Sequence, residues 1–228
     1  KMKKRNILII GHKGLIGKHL VNFYKNESNV KLVCIDKSEN FDLTKKDLVS
    51  TFLKKNKNLN YIINASGKND HVTKNKKAIF EDDKILLDYI YQNVIAPKNL
   101  IEQSVTICKK IKSIINFASL YGLKSPYHPM YKKRKSLSYC ISKHAMEGLT
   151  KYYAALYAEK NIRINNIRVG GVENNQPKNF INNFLKKTPN KKMLTKNDLA
   201  YLVDFLCSEK SKNIVGENIN LEGGYNLW

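Results

Sequence analysis

Tyr139 and Lys143, in the stretch Tyr139-Cys140-Ile141-Ser142-Lys143, are the residues here whose types and spacing could move a proton. Four apart on a helix, they stand one turn above each other and can address a common ligand. A free phenol has a pKa of about 10, and a neighbouring ammonium favours its phenolate. A drop of roughly 3 units would take about 4 kcal/mol of differential stabilisation. Oxidising an alcohol to a ketone removes one proton and one hydride. A phenolate can take the proton as a general base, and a nicotinamide can take the hydride. In a chain with 13 tyrosines and 41 basic residues, the pattern also arises by chance, so its setting decides what it means.

Elements that could position the pair are legible as short apolar runs alternating with amphipathic stretches. Strands are expected at Asn6–Ile10, Val30–Asp36, Tyr61–Ala65, Ser113–Ala118, Ile162–Val169 and Asn218–Leu221. Helices are expected near Leu15–Lys25, Lys45–Asn56, Lys84–Lys109, Ser138–Glu159 and Asn197–Glu209. This alternation predicts an α/β fold: one doubly wound (Rossmann) parallel sheet with helices on both faces, in a single domain over 1–228. The irregular stretches Ser66–Phe80, Tyr121–Leu137 and Gly170–Lys178 each follow a strand, where ligand crevices of open α/β sheets form.

A cofactor half accompanies the pair. Gly11-His12-Lys13-Gly14-Leu15-Ile16-Gly17 lies between the first strand and first helix, as a pyrophosphate-binding turn would. Its spacing is G-x-x-G-x-x-G rather than G-x-G-x-x-G. Asp36 closes the second strand 19 residues after Gly17, where an acidic residue binds ribose hydroxyls and disfavours a 2′-phosphate. NAD is therefore expected over NADP, although Lys37 softens that bias. Asp42 could face an adenine or serve as a cap, with Leu43 beside it. Asn64-Ala65-Ser66-Gly67 ends a strand in small residues that allow close approach.

The formal charge of +22 has three readings: a compositional bias spread along the chain, attraction of an anionic substrate or acidic carrier protein, or nucleic-acid binding. The last lacks a zinc-finger spacing, an RNP-like motif or a single basic helix. Cys34, Cys108, Cys140 and Cys207 form no C-x-x-C pair, which speaks against a zinc or disulfide framework and suits a reducing cytoplasm. No metal is expected. The run Ile7–Ile10 is too short for a signal peptide, and no stretch approaches ~18 apolar residues, so no membrane span is expected.

Taken in order, the glycine turn, the acidic strand end, Asn64-Ala65-Ser66-Gly67, Ser119, Tyr139/Lys143 and Gly216 to Gly224 resemble the short-chain dehydrogenase/reductase family over essentially the whole chain. The resemblance implies Tyr139 as general acid/base and Lys143 lowering its pKa while holding the nicotinamide ribose. It implies Ser119 on the substrate oxygen, Asn93 in a proton relay and Val172 near the nicotinamide. It also implies a homodimer or homotetramer packed through the long helices.

Three departures accompany it. Ser119 and Tyr139 are 20 residues apart, a longer gap than usual. Gly170-Gly171 replaces a proline-glycine, with no threonine soon after. The glycine spacing is that of longer members. The insertion and Gly170-Gly171-Val172 resemble bacterial members linked to flagellin modification and surface-sugar biosynthesis. A nucleotide-activated sugar is the expected substrate, met by Lys132, Lys133 and Arg134 at the active-site mouth. Alternatives are a 3-oxoacyl-carrier-protein reductase and a non-catalytic NAD-binding regulator or scaffold.

Overall fold

Alternation of side chains along each strand decides how the sheet is covered. In β1 (Arg5–Ile10), Leu8 and Ile10 turn to one face and Ile7 and Ile9 to the other. All four are buried, as a strand covered on both sides requires. The computed structural model describes residues 4–69, 80–131 and 134–227.

β1 joins β2 (Val30–Ile35), β3 (Tyr61–Asn64), β4 (Ser113–Ser119), β5 (Arg163–Val169) and β6 (Asn218–Leu221). The sheet order is β2-β1-β3-β4-β5-β6, with every pair parallel. The chain leaves β1 toward β2 and then crosses back to β3 on the other side. That reversal opens a crevice beyond the carboxyl ends of β1 and β3.

The helices are α1 (Leu15–Tyr24), α2 (Lys46–Lys55), α3 (Asp83–Ile90), α4 (Ala96–Ile107), α5 (Leu137–Tyr157), α6 (Lys178–Lys187) and α7 (Lys196–Leu206). One face of the sheet sets Leu8, Ile10, Ile62, Ile114 and Ile164 against Val49 of α2, Leu100 of α4 and Ala154 of α5. The other sets Ile7, Ile9, Ile63, Ile115 and Ile167 against Leu20 of α1 and Leu199 and Val203 of α7. Each large side chain so buried contributes about 1.5–3 kcal/mol. The expected doubly wound α/β architecture is what the chain adopts.

Two elements differ from the sequence reading. The single helix expected over Lys84–Lys109 is divided by a π turn, Tyr91–Ile95. There the N–H of Ala96 reaches back to Tyr91 O, and Pro97 has no N–H to return to the Asn93 carbonyl. The second is α6, for which no helix was expected. Its Phe180, Ile181, Phe184 and Leu185 share one face and join a third apolar cluster with Tyr89, Tyr121, Tyr139 and Tyr225. The helical period was present, but surrounding asparagines and lysines obscured it.

Candidate active site

Tyr139 lies in the first turn of α5, and the start of that helix is held from two directions. Ser136 is the N-cap, its Oγ accepting from the Tyr139 N–H at 3.1 Å. The carboxylate of Glu81 accepts from the N–H groups of Leu137 at 2.9 Å and Ser138 at 3.0 Å, and from the hydroxyls of Ser136 and Ser138. These are the orphan donors of a helix N-terminus, where an anion is also favoured by the helix dipole. One turn past Lys143, Glu147 forms a bidentate pair with Arg168 of β5, both contacts at 2.6 Å. Tyr139 and Lys143 are thus carried on a helix anchored at its start and to the sheet.

Ser119 ends β4, and its hydroxyl hydrogen-bonds the phenol of Tyr139. Lys143 donates from Nζ to Phe117 O at 2.6 Å and lies 5.8 Å from the Tyr139 ring centroid. Asn93 sits in the π turn, fully buried. Its amide clasps the backbone of Lys68, accepting from N at 2.7 Å and donating to O at 3.0 Å. It also donates to Ser142 Oγ at 2.9 Å, which in turn donates to Tyr139 O at 2.8 Å. All four expected proton-transfer residues therefore meet at the carboxyl end of β4.

The electrostatics differ from expectation. Burial pushes the Tyr139 phenol up to about 12, and only the Ser119 hydrogen bond works against it. Lys143, engaged by Phe117 O, does not lower it in this geometry. Burial, followed by the like charge of Lys135, instead pushes Lys143 down to about 8. A folded lysine binding protons less tightly than an unfolded one destabilises the fold wherever the unfolded lysine is charged. That burden is full below pH about 8 and fades as the pH rises toward the ordinary value near 10.5. Lys143→Met should accordingly stabilise the chain by about 1–2 kcal/mol at neutral pH. The gain should shrink toward pH about 10.5; urea unfolding at the two pH values measures it, and a gain that grows with pH would contradict it.

The glycine turn fits an anionic pyrophosphate. Gly11 has φ +77°, and a Cβ there would meet the backbone of Ala65 and Ser66 at 2.8 Å. Gly14 is the N-cap of α1 and brings no side-chain cap, so no capping side chain occupies the first-turn N–H groups. Lys13, Leu15, Ile16 and Gly17 complete this turn. The loop after β3 links it to the proton-transfer residues: a Cβ on Gly67 would lie 3.0 Å from Asn93 Oδ1 and 3.8 Å from Lys143 Nζ.

Asp36 accepts from Lys13 N at 3.3 Å and from Ser38 N at 2.9 Å. It caps a short turn and also borders the glycine loop. Burial raises its carboxyl, but the hydrogen bonds from Ser38 and Lys13 outweigh this and hold it low. Glu39, which sequence reasoning missed, adds a second carboxylate there, 3.1 Å from His12 Nε2 and 3.2 Å from Lys13 Nζ. Asp42 accepts from the N–H and hydroxyl of Thr44 at 2.9 and 2.8 Å; Leu43 is buried in the core. Asn64 binds Asn116 at 3.1 Å and both N and Oγ of Ser66. Val172 forms an isolated bridge with Leu194.

Lys132 and Lys133 lie outside the described residues. Arg134 lines a cavity of about 930 Å³ together with Phe80, Leu137, Cys140 and His144, along the side of α5 turned away from Lys143. Its neighbour Lys135 also lines this cavity and carries its Nζ to 4.1 Å from the Tyr139 ring centroid. Among the described residues there is no His/Cys/Asp/Glu cluster suited to a metal, and no helix is long and apolar enough to cross a membrane.

Residues 22–226 match a family profile described as Enoyl-(Acyl carrier protein) reductase. The chain is 30% identical over 118 residues to post-translational flagellin modification protein A of Campylobacter coli, covering 50% of this chain and 46% of that protein. The match thus spans about half that relative's length. It is 25% identical over 225 residues to a 3-oxoacyl-acyl-carrier-protein reductase of Rickettsia bellii, covering 92% of this chain and 87% of that one. A short chain dehydrogenase of Leptospira borgpetersenii, solved with bound NAD+, superposes with a TM-score of 0.83 at 25% identity, over 99% of this chain and 94% of its own. The profile, the Rickettsia relative and the superposition each span most of the sequence, and the chain belongs to the short-chain dehydrogenase/reductase family.

Proposed function

We propose that this chain is an NAD-dependent oxidoreductase that interconverts a hydroxyl and a keto group on a nucleotide-activated sugar, in surface-glycan or flagellin-modification biosynthesis. The observation that carries the chemistry is the meeting of Ser119, Tyr139 and Lys143 at the end of β4, joined to the glycine turn by the loop after β3. Ser119 orients the substrate oxygen. Tyr139 takes that oxygen's proton in oxidation and returns it in reduction. Lys143, pushed down to about 8 by burial, can gain and lose a proton close to working pH and so serve the proton traffic of Tyr139. Asn93 keeps the loop after β3 and the first turns of α5 in register through Lys68 and Ser142. The nicotinamide supplies the two-electron acceptor or donor when bound, held by the turn Gly11 to Gly17 and by Asp36.

NAD is favoured over NADP because two carboxylates, Asp36 and Glu39, border the site where a 2′-phosphate would sit. An anionic sugar nucleotide suits the charge of +22, and the Campylobacter relative's name points the same way. Lys132, Lys133 and Arg134 are the cations proposed to meet it. Leu137, Ile141, Tyr152 and Leu156 form an exposed stripe on α5, which supports a homodimer or homotetramer. Four free cysteines support a reducing, cytoplasmic setting. The Rickettsia relative favours one other reading, reduction of a 3-oxoacyl group on an acidic carrier.

Rates across UDP-, GDP- and CMP-sugars, free sugars, a 3-oxoacyl carrier substrate and small alcohols separate these readings. A nucleotide sugar should exceed its free sugar at least about tenfold in kcat/KM. NADH should bind about tenfold or more tighter than NADPH, a gap that Asp36→Asn narrows. Equal use of free and activated sugars would sink the substrate. A preference for NADPH, with turnover on the carrier, would replace it with the second reading.

A further inference from the structure

Lys135 closes the basic run that begins at Lys132, yet it is only 5% exposed. Its ammonium donates to Asn69 Oδ1 at 2.9 Å and stands 4.1 Å from the centroid of the Tyr139 ring. Lys143, the family's own lysine, is farther from that centroid at 5.8 Å. Burying an ammonium is costly unless its surroundings compensate. The face of a phenol attracts a cation, and a phenolate attracts it more strongly. Lys135 directly precedes the N-cap Ser136, and Glu81 fixes the following turn. Its backbone is therefore tied to the helix that carries Tyr139.

We propose that Lys135 is a positioning residue of the catalytic centre, whose ammonium against the Tyr139 ring sets the charge that the Tyr139–Lys143 pair holds while it exchanges protons. This rests on reading Tyr139 and Lys143 as the proton-transfer pair. Only N–H and O–H bonds are involved: the proton that leaves Lys143 Nζ is taken up by the Tyr139 phenolate or by solvent. A second cation close by makes the Lys143 ammonium harder to keep. The like charge of Lys135 follows burial among the causes that lower Lys143, and it opposes the burial that raises Cys140.

Among the described residues, the other titratable and polar groups facing the pair come from several elements. Tyr89 of α3 meets the Tyr139 ring edge-on at 6.3 Å. Ser119 of β4 hydrogen-bonds the phenol. Tyr131 and, on α5, Cys140 also feel the phenol's charge, and Glu81 is engaged at the start of α5.

The test follows Lys143 itself and needs no substrate. In a chain labelled with 13C-lysine, most Cε resonances titrate near about 10.4. One should titrate near 8 and be missing from Lys143→Met. In Lys135→Met that midpoint should rise by about one unit, a tenfold gain in proton affinity, and Lys135→Arg should restore it. Should Lys135→Met fail to fold, Lys135→Gln carries the same expectation. An unmoved midpoint would overturn the role, and so would an equal shift in Lys135→Arg, because packing rather than charge would then be responsible. Turnover surviving in Tyr139→Phe would sink the proton-transfer reading itself. An unmoved Lys143 midpoint beside an inactive Tyr139→Phe would sink only the part given to Lys135.

Discussion

Replacing Tyr139 by Phe should remove about two to four orders of magnitude of turnover while leaving NADH affinity within a factor of about two. The substitution deletes one oxygen. The ring remains, so its edge-on contact with Tyr89 and its place in the cluster with Tyr121 and Phe184 are retained. The loss is the hydroxyl and its hydrogen bond with Ser119, worth about 1 kcal/mol of stability at most in net terms. A fall in rate that large cannot come from so small a change in the fold. It would read the proposed proton acceptor directly. Steady-state rates, NADH fluorescence titration and a thermal melt of the same preparation separate chemistry from binding and folding. Turnover within a few-fold of the parent would remove Tyr139 from the mechanism.

Gly17→Ala should weaken NADH binding by about a hundredfold or more and cost about 2–4 kcal/mol of stability. A Cβ at Gly17 would lie 2.2 Å from Gly11 O, 2.7 Å from His12 Cα and 2.8 Å from Gly11 C. All three are backbone atoms, so no side chain can swing aside. The turn cannot retreat either, because the Gly11 Cα already faces the backbone of Ala65 and Ser66. Either α1 or the turn must shift, and each shift would move the helix N-terminus off the proposed pyrophosphate site. Gly148→Ala is the matched control: it lies in α5, and a Cβ there meets nothing within 4 Å. It should be neutral or stabilise by about 1 kcal/mol. Similar NADH affinity in the two variants would show that the glycine turn is not the pyrophosphate cradle.

The alternating fold and much of its chemistry are legible along the chain because both rest on local spacing. Continuous apolar runs such as Ile7 to Ile10 mark doubly covered strands, and Tyr139 and Lys143 are one helical turn apart wherever α5 is placed. Residues whose roles depend on distant partners are not legible in this way. Glu81 resembles any surface acid until Ser136, Leu137 and Ser138, at least 55 positions on, bring it their donors. Asn93 lies in an apparently unbroken helix, and only the π turn before Pro97 turns its amide to Lys68 and Ser142.

The basic run before α5 marks this division most sharply. Its charge is plain in the sequence, where Lys132, Lys133 and Arg134 stand out as a group that could meet a substrate. Tertiary structure alone tells the neighbours apart: both line the outer cavity, and Lys135 also reaches the face of Tyr139. By itself the sequence determined the doubly wound sheet, the glycine turn and the Tyr139–Lys143 spacing, since each is set by neighbours along the chain. The structure decided the charge state of the pair, because a pKa depends on burial and on cations that approach through space. Burial accordingly pushes Lys143 down to about 8 and Tyr139 up to about 12, which four-residue spacing could not foretell.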